Sequence, residues 1–363
     1  MVDNLPLDTI LSGDCTDVLA QLPEKSVDLV FADPPYNLQL SQELWRPNRT
    51  RVGAVDDSWD KFTSFEEYDR FTHLWLSACK RILKDTGTLW VIGTYHNIFR
   101  LGTVLQDLGF WILNDVIFLK TNPMPNFRGA RFTNAHETLI WAQKEKGAQY
   151  TFNYQSMKSL NDDLQMRSDW LLPICTGKER IKTNGVKAHS TQKPEALLYR
   201  VLLASTHPGD VVLDPFFGSG TTGAVSKKLG RHFIGIERDE GYIQVARDRI
   251  AAVAPTPPAA LNLPDPRREP RLPFGALLEA ALLQPGQTLF FIHTGQPATI
   301  LADGRLRCGE LTGSIHAVAK SLSNGAPANG WECWFFEDAK GRRFPIDDLR
   351  QQIRTQMDQG ETR

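Results

Sequence analysis

The stretch Asp210-Val-Val-Leu-Asp-Pro-Phe-Phe-Gly-Ser-Gly-Thr-Thr-Gly223 places a strand, a glycine turn and the start of a helix in immediate succession. The apolar run before Asp214 predicts a buried strand, the glycines predict a tight turn, and residues 221–229 predict a helix. A second apolar segment, residues 232–236, predicts the next strand and ends at Glu237. This order is typical of the nucleoside-binding half of an α/β fold, in which an acid after the second strand holds the ribose hydroxyls.

The charge at this turn indicates which cofactor it binds. Taken alone, Gly218, Gly220 and Gly223 also match the dinucleotide-binding pattern, which is weak evidence by itself. A carboxylate at Asp214 would repel a pyrophosphate, whereas it would attract a cofactor that carries a sulfonium and an ammonium group. S-adenosyl-L-methionine carries both groups, so we expect it rather than a dinucleotide.

A second motif, Asp33-Pro-Pro-Tyr36, follows directly after the apolar run Val27–Ala32. The prolines fix the backbone and lack N–H donors, so the Pro34 carbonyl and the Asp33 carboxylate can accept both hydrogens of an exocyclic amine. Tyr36 can stack on a base that has been flipped out of its helix. The alternative is that the prolines only end a strand. We favour chemistry on a nucleobase, with Asp33, Pro34 and Tyr36 as catalytic residues, because this four-residue sequence is rarely expected by chance in a chain of this length.

Strand and helix patterns alternate over the first 254 residues. This alternation predicts an α/β fold with a mainly parallel, doubly wound sheet that helices cover on both faces. Ligands then bind at the carboxyl ends of the strands, where both motifs lie. The predicted strands are residues 9–12, 27–32, 87–92, 115–119, 138–141, 211–213 and 232–236, and the clearest helices are residues 65–83 and 195–206.

The chain length of 363 residues favours two domains. Seven prolines between residues 255 and 273 predict a stiff, extended linker. It would separate a catalytic domain of residues 1–254 from a C-terminal domain of residues 274–363. In the latter, turns at Asp303-Gly304 and Lys340-Gly341 and helical patterns over residues 314–322 and 345–357 predict a small α+β domain.

Both motifs resemble those of the amino-directed DNA methyltransferases, whose adenine-modifying members carry DPPY and a loop like the one that begins at Asp214. The catalytic motif comes first, as in the permuted group with the target-reading segment between the motifs. The resemblance implies a class I methyltransferase fold, which is Rossmann-like, and transfer of a methyl group from S-adenosyl-L-methionine to N6 of a flipped adenine in double-stranded DNA. The segments most similar to the bacterial cell-cycle-regulated methyltransferases of GANTC are Phe31-Ala-Asp-Pro-Pro-Tyr-Asn-Leu-Gln-Leu40, Asn122-Pro-Met-Pro-Asn-Phe127, Ser314-Ile-His316 and Asn329-Gly-Trp331.

The resemblance also implies which residues contact the cofactor. Asp14 matches an acid that lies near the cofactor adenine in the family. A role as the cap of a helix that begins at Thr16 explains this residue equally well. Lys193, in His189-Ser-Thr-Gln-Lys-Pro194, could pair with the cofactor carboxylate. Alternatively, Thr191 caps the next helix and the lysine is solvated. The expected cofactor contacts are Asp14, Lys193, Asp214, Phe216, Gly218, Ser219, Gly220, Thr221 and Glu237.

The region between the motifs and the C-terminal part are expected to bind DNA. The segment from Asn122 to Arg131 is stiff, aromatic and basic, so it can stack on bases and contact phosphates. Packing is the alternative for each single aromatic or histidine, and a core role is the stronger alternative for Trp331. The expected DNA contacts are Arg46, Asn122, Phe127, Arg131, His136, Ser314, His316, Asn329 and Trp331.

Composition limits other functions. The net charge of −1 gives no basic excess, so a DNA surface requires locally segregated charge. The five cysteines form no close pair, which predicts neither a zinc site nor disulfides, and no metal is expected. The first residues lack a basic leader, and Asn114 and Asp115 interrupt the most apolar stretch, so we expect a cytoplasmic protein without a membrane segment. A homodimer is compatible with the sequence.

Three alternative functions stay open at this point. Cytosine-N4 methylation uses similar geometry, but that branch usually has serine where Asp33 stands. Methylation of RNA or of a protein amide is the second alternative. A dinucleotide-dependent oxidoreductase or an inactive DNA-binding module is the third, and Asp214 together with the intact DPPY motif argues against it.

Overall fold

The computed structural model of the protein describes residues 5–38, 60–126, 129–177, 179–183, 186–188, 191–261, 272–338 and 340–360. The chain divides into two compact units, Met1–Pro264 and Asp265–Arg363. The division falls inside the proline-rich segment that was predicted as a linker. Residues 262–271 of that segment lie outside the described residues, so the predicted linker stays a prediction there.

The first unit alternates strands and helices as predicted. Its elements in chain order are β1 (Thr9–Ser12), α1 (Cys15–Gln21), β2 (Val27–Ala32), α2 (Phe65–Ile82), β3 (Leu83–Gly93), α3 (Ile98–Asp107), β4 (Trp111–Lys120), β5 (His136–Gln143), α4 (Tyr154–Ser159), β6 (Asp169–Leu172), β7 (Lys182–Thr183), β8 (Val186–Lys187), α5 (Glu195–Ser205), β9 (Val211–Asp214), α6 (Thr221–Lys228), β10 (His232–Glu237), α7 (Glu240–Ala251) and α8 (Pro258–Leu261).

Eight of these strands form one sheet in the order β1-β10-β9-β2-β3-β5-β4-β6. Neighbouring strands are parallel except that β5 runs antiparallel to β3 and to β4. The predicted α/β fold with a mainly parallel sheet is therefore confirmed. Because β5 is reversed, its first residues lie at the same edge of the sheet as the last residues of the other strands.

Both faces of this sheet are buried, and the alternation along β2 shows how. Val30 and Ala32 belong to a core that includes side chains of α1, α2 and α3. Leu29 and Phe31 belong to a second core that includes side chains of α5 and α6. Full burial of such side chains contributes roughly 1.5–3 kcal/mol each. The two cores fix the strands rigidly and so determine where their carboxyl ends lie.

Helix α2 has a clear local cause in the sequence. The Ser64 hydroxyl caps its first turn by accepting a hydrogen bond from the Glu67 N–H. The Glu67 carboxylate accepts in turn from the N–H and the hydroxyl of Thr63. This arrangement is close to a capping box, which satisfies backbone donors that have no partner within a helix.

Some elements differ from the predictions. Helices α3 and α7 were not predicted, and β3 begins at Leu83 rather than at residue 87. Helix α1 begins at Cys15, and it corresponds to the helix from Thr16 that was the alternative interpretation of Asp14. Helix α8 lies in the segment that was expected to be an extended spacer, and the Thr256 N–H donates to the Lys228 carbonyl. Proline is well tolerated in the first turn of a helix, which explains how a proline-rich stretch can begin one.

The second unit is a small α+β domain, as predicted. Its six strands form an antiparallel sheet in the order β14-β13-β12-β11-β15-β16. Its elements are α9 (Gly275–Glu279), β11 (Thr288–Phe291), β12 (Pro297–Ile300), β13 (Leu306–Cys308), β14 (Leu311–Gly313), α10 (Ile315–Leu322), α11 (Gly330–Cys333), β15 (Trp334–Glu337), β16 (Arg343–Pro345) and α12 (Ile346–Gly360). Across the described ranges of both units, none of the helices has the length and apolarity needed to span a bilayer.

Candidate active site

A cavity of about 640 Å³ opens at the carboxyl edge of the large sheet. Its wall includes residues that follow four different strands, namely Gly13 and Asp14 after β1, Asp33, Pro34, Pro35 and Tyr36 after β2, Pro215, Phe216 and Gly218 after β9, and Glu237 at the end of β10. The two motifs that the sequence indicated therefore face one shared space. This is the geometry that a transfer between a bound cofactor and a bound base requires.

Several contacts hold the DPPY motif in one conformation. The buried Asp60 carboxylate accepts hydrogen bonds from three successive backbone N–H groups that begin at Tyr36. The Tyr68 hydroxyl of α2 donates to the Pro35 carbonyl at 2.9 Å. No hydrogen bond to the Pro34 carbonyl comes from the part of the chain that the structure describes. That carbonyl is therefore an acceptor that a ligand can use.

The Asp33 carboxylate lies within a group of buried charges. Its Oδ2 is 2.7 Å from Lys193 Nζ, and its Oδ1 accepts from the Tyr36 hydroxyl at 2.9 Å. Lys193 Nζ is also 3.7 Å from Glu137 Oε2, and Glu137 Oε1 is 2.9 Å from Lys120 Nζ. Two carboxylates and two ammonium groups thus alternate at the edge of the sheet.

Burial and neighbouring charges shift the pKa values in this group. Burial raises the pKa of Asp33, although the Lys193 ammonium opposes the shift. Burial also raises the pKa of Tyr36 far above its usual value, with the Asp33 and Glu137 charges adding to the effect, so the hydroxyl is a donor. Burial alone would raise the pKa of Glu137, but Lys193 and Lys120 outweigh it and lower the pKa. Burial alone would lower the pKa of Lys193, but Asp33 and Glu137 raise it.

The loop after β9 is organised around Asp214. The Asp214 side chain is buried, its Oδ1 accepts from the Phe216 N–H at 2.9 Å, and its Oδ2 accepts from the Thr222 hydroxyl at 2.6 Å. Burial raises the pKa of Asp214 to about 7. Gly220 has a φ of 74°, and a Cβ there would lie 2.7 Å from the Ala246 Cβ. The carboxylate and the glycine together explain why the chain turns so tightly into α6.

Aromatic rings connect this loop to the rest of the unit. Phe216 lines the cavity, and its ring packs edge-on against Trp75 of α2 at a centroid distance of 5.2 Å. Phe217 points to the other side and stacks on Phe233 at 5.7 Å. Its ring covers Gly235, where a Cβ would lie 2.4 Å from a ring carbon. Helix α2 thus contacts both the DPPY motif and the cofactor loop.

The acids at the ends of β1 and β10 face the same cavity. Glu237 Oε2 accepts from the Gly218 N–H at 2.8 Å, and Oε1 accepts from the N–H groups of Arg238 and Asp239. Asp14 caps α1 by accepting from the Thr16 N–H at 2.9 Å, and it also lines the cavity. The capping role of Asp14 is therefore present, and it is compatible with the predicted contact to a cofactor.

The other predicted cofactor residues lie behind the cavity wall. Thr221 accepts from Arg249 at 2.7 Å and donates to the Lys193 carbonyl at 3.3 Å, and the Ser219 carbonyl accepts from Arg249 at 3.4 Å. Among the predicted cofactor contacts, those that line the cavity are Asp14, Phe216, Gly218 and Glu237, and those outside its lining are Lys193, Asp214, Ser219, Gly220 and Thr221.

The predicted DNA contacts of the first unit are dispersed. Asn122 Oδ1 accepts from the Ile174 N–H at 3.1 Å, and the exposed His136 begins β5. The Arg131 guanidinium lies 5.8 Å from the centre of the Tyr95 ring. Arg46 and Phe127 lie outside the described residues. DNA contact by these residues stays a prediction.

The predicted DNA contacts of the second unit have structural partners. The Ser314 hydroxyl accepts from the Ala317 N–H and caps α10, and Asn329 Oδ1 accepts from the Trp331 N–H and caps α11. His316 Nδ1 accepts from the Gly330 N–H at 2.9 Å. Trp331 is only 6% exposed and belongs to the core of the unit. A role of these residues in DNA binding likewise stays a prediction.

Sequence reasoning missed Glu137, Lys120 and Asp60. The position of Glu137 could have been noticed in the sequence, because a charged residue there begins the apolar strand β5. The burial of its side chain, which is only 13% exposed, could not be predicted from the local sequence. Within the described ranges, no group of three or more histidine, cysteine, aspartate or glutamate residues is placed to hold a metal ion.

Comparison with known proteins agrees with this geometry. Residues 27–248 match a family model described as DNA methylase, and residues 254–359 match one described as Restriction Enzyme Adenine Methylase Associated. The chain is 51% identical over 351 residues to Type II methyltransferase M.HinfI of Haemophilus influenzae, a match that covers 96% of this chain and 98% of the relative. It is 43% identical to Type II methyltransferase M2.DpnII of Streptococcus pneumoniae, covering 67% and 89% respectively. The solved M1.HpyAVI-SAM complex is 27% identical with a TM-score of 0.50, covering 67% of this chain and 98% of that one.

Proposed function

Because this chain belongs to the DNA methylase family and is an S-adenosyl-L-methionine-dependent DNA methyltransferase, we propose that it methylates N6 of an adenine flipped out of double-stranded DNA. The observation that carries the proposal is the shared cavity. The DPPY motif and the loop after β9 form parts of the same wall. A base amine held by one can therefore reach a methyl donor held by the other.

The residues of the cavity fit the cofactor. Phe216 offers an aromatic surface, Glu237 offers a carboxylate to ribose hydroxyls, and Asp14 offers one to an adenine amine. When bound, S-adenosyl-L-methionine supplies a methyl group activated by its attachment to a positively charged sulfur. Asp214 adds a carboxylate beneath the loop, which favours a cationic ligand over a pyrophosphate.

The DPPY motif can hold and activate an amine. The Asp33 carboxylate and the Pro34 carbonyl each accept one N6 hydrogen, which draws the nitrogen lone pair away from the ring and toward the methyl carbon. Positive charge that develops on N6 is stabilised by both acceptors, and preorganised groups of this kind are worth on the order of 3 kcal/mol each. Asp33 is also placed to accept the proton that N6 loses. Tyr36 supports the base by stacking.

The choice of adenine over cytosine rests on residue 33. Both bases carry an exocyclic amine, so the fold alone does not separate them. Asp33 stands where the cytosine-N4 branch usually has serine. The match of residues 254–359 to a family associated with adenine methylases supports the same choice. N4 methylation of cytosine is the second candidate, and it predicts a different modified nucleoside.

The proposed target sequence is GANTC. Support comes from the sequence segments that resemble those of GANTC methyltransferases. Regulation through the cell cycle, a cytoplasmic location and a homodimer are implied by the resemblance or by the composition, and they stay predictions.

The proposal is tested with Asp33→Ala. We expect the variant to lose at least about 100-fold in turnover, because one preorganised acceptor is removed, while it still binds a GANTC duplex. Radiolabel transfer measures turnover, gel shift measures binding, and mass spectrometry of digested DNA identifies the product. Near-normal turnover of Asp33→Ala, or N4-methylcytosine as the wild-type product, would contradict the proposal. A duplex with a shuffled target site is the control for GANTC.

A further inference from the structure

The buried charges beside Asp33 include Lys193, for which the resemblance implied a contact with the cofactor carboxylate. That contact stays a prediction. Within the protein, the Lys193 ammonium lies 2.7 Å from Asp33 Oδ2 and 3.7 Å from Glu137 Oε2. The side chains are largely buried, with exposed fractions of 9% for Lys193, 17% for Asp33 and 13% for Glu137. Lys193 is not part of the cavity wall.

Separate parts of the chain bring this cluster together. Asp33 follows β2, Glu137 is the second residue of the reversed strand β5, and Lys120 ends β4. Lys193 precedes α5, and its carbonyl accepts from the Thr221 hydroxyl at the start of α6. The backbone of Lys193 is thus attached to the cofactor loop while its side chain reaches the DPPY motif.

We propose that Lys193 and Glu137 are positioning residues for methyl transfer: Lys193 keeps the Asp33 carboxylate ionised and correctly oriented, and Glu137 holds Lys193 in place. The inference rests on the proposed function, in which Asp33 accepts a hydrogen from the base amine. It adds two residues that act through Asp33 and do not touch the reacting atoms.

The physical reason is that a buried carboxylate without a partner binds a proton. A protonated Asp33 would keep one acceptor oxygen, but it would have lost the negative charge that stabilises positive charge on N6 and the capacity to accept the N6 proton. Lys193 supplies the cation that opposes the effect of burial on the pKa of Asp33. With Lys193 on Oδ2 and the Tyr36 hydroxyl on Oδ1, the plane of the carboxylate is also fixed.

Other titratable groups among the described residues also act on Asp33. Glu137 and Tyr36 face it directly, and Lys120 acts on it through Glu137. Asp214, at the end of β9, interacts with it as a second acid. Lys193 is therefore the cation in contact with Asp33 among the described residues. Its removal should leave Asp33 surrounded mainly by acids and a hydroxyl.

Two substitutions are expected to move the pH dependence of kcat/KM in opposite directions. Lys193→Met removes the cation, so the acidic limb should move to higher pH and the rate below it should fall. A cation within about 4–6 Å typically lowers a carboxyl pKa by one unit or more. At a pH below the acidic limb, kcat/KM of Lys193→Met should therefore be lower than that of the wild type by on the order of tenfold or more. Glu137→Gln keeps a side-chain oxygen that can accept from Lys193 and hold it in place, but it removes a charge that raises the pKa of Asp33. The acidic limb of this variant should therefore move to lower pH.

The experiment measures methyl transfer to a GANTC duplex across pH and the affinity for S-adenosyl-L-methionine by titration calorimetry. Lys193→Arg keeps the charge and should restore the wild-type limb. Lys144→Met is a matched control, because Lys144 is also buried but lies at the other end of β5 and donates to the Leu83 carbonyl. We expect this control to keep the wild-type limb, and Lys193→Met to bind S-adenosyl-L-methionine within about threefold of wild type.

The outcomes separate the inference from the proposed function. A large loss of S-adenosyl-L-methionine affinity in Lys193→Met with an unmoved acidic limb would overturn the inference and restore the cofactor role of the lysine. Shifts of the same sign in Lys193→Met and Glu137→Gln would also overturn it. In both cases the proposed function survives if Asp33→Ala is inactive. An active Asp33→Ala enzyme would instead remove the proposed function and the inference together.

Discussion

Asp214 is expected to make the stability of the first unit depend on pH in an unusual direction. Burial raises the pKa of Asp214 to about 7, from an ordinary value of 3.8. A raised pKa means that the folded state binds the proton more tightly than the unfolded state does. The associated stability is therefore full at low pH and is lost as the pH rises from about 4 through about 7.

The size of the effect follows from the two pKa values. Taking 3.8 for the unfolded chain and about 7 for the folded one, linkage predicts a loss of about 2 kcal/mol between about pH 5.5 and about pH 8. Asp214 is 4% exposed, so solvent screening is small. Asp214→Asn should abolish this loss, because asparagine keeps an acceptor for the Phe216 N–H and does not titrate in this range.

The assay is urea unfolding of wild type and Asp214→Asn at both pH values. All other titrating groups are common to the two proteins, so the difference between their pH responses isolates residue 214. Equal pH responses in the two proteins would refute the reasoning, because Asp214 would then be ionised throughout. As a further readout, S-adenosyl-L-methionine binding below pH 7 should release protons from the wild type and fewer from Asp214→Asn, since a bound cation favours the carboxylate. Calorimetry in two buffers of different ionisation enthalpy measures this release.

Two further predictions concern close packing. Gly235→Ala would place a Cβ 2.4 Å from the Phe217 ring. We expect a loss of about 1–3 kcal/mol in unfolding free energy and weaker S-adenosyl-L-methionine binding. Gly102→Ala is the control in the same unit, because the nearest neighbour of its Cβ would lie at 3.4 Å. Gly330→Ala would place a Cβ 2.6 Å from the Ile315 carbonyl carbon, so the thermal midpoint of the second unit should fall, whereas Gly275→Ala, with no atom within 4 Å, should leave it unchanged. A Gly330→Ala protein that melts like Gly275→Ala would show that α10 and α11 can separate at little cost.

Much of the architecture could be predicted because its causes are local. The apolar segments that form β2, β9 and β10 are short, and acids or prolines follow or end each of them, so the sequence itself indicates where each strand ends. The glycines at 218 and 220 have positive φ values, as a tight turn between a strand and a helix requires. Because parallel strands end at one edge, these signals were sufficient to predict that Asp33 and Phe216 face a common site.

Other features could not be predicted because they depend on partners distant in sequence. Lys193 could be placed before a helix from its sequence context, but nothing in that context indicates Asp33 as its partner 160 residues away. Ser314 and Asn329 were selected by resemblance, whereas the structure shows what they bind within the second unit.

The amino-acid sequence by itself determined the two chemical motifs, the strands that present them and the class of cofactor, because each depends on the conformation and charge of a few adjacent residues. Only the tertiary structure decided the environment of Asp33. The reversed strand β5 brings Glu137 to the same edge as Lys193, and burial of both side chains leaves little water to screen these charges. The electrostatic energy of a carboxylate depends on its burial and on its neighbours in space, and both arise only when the sheet is assembled.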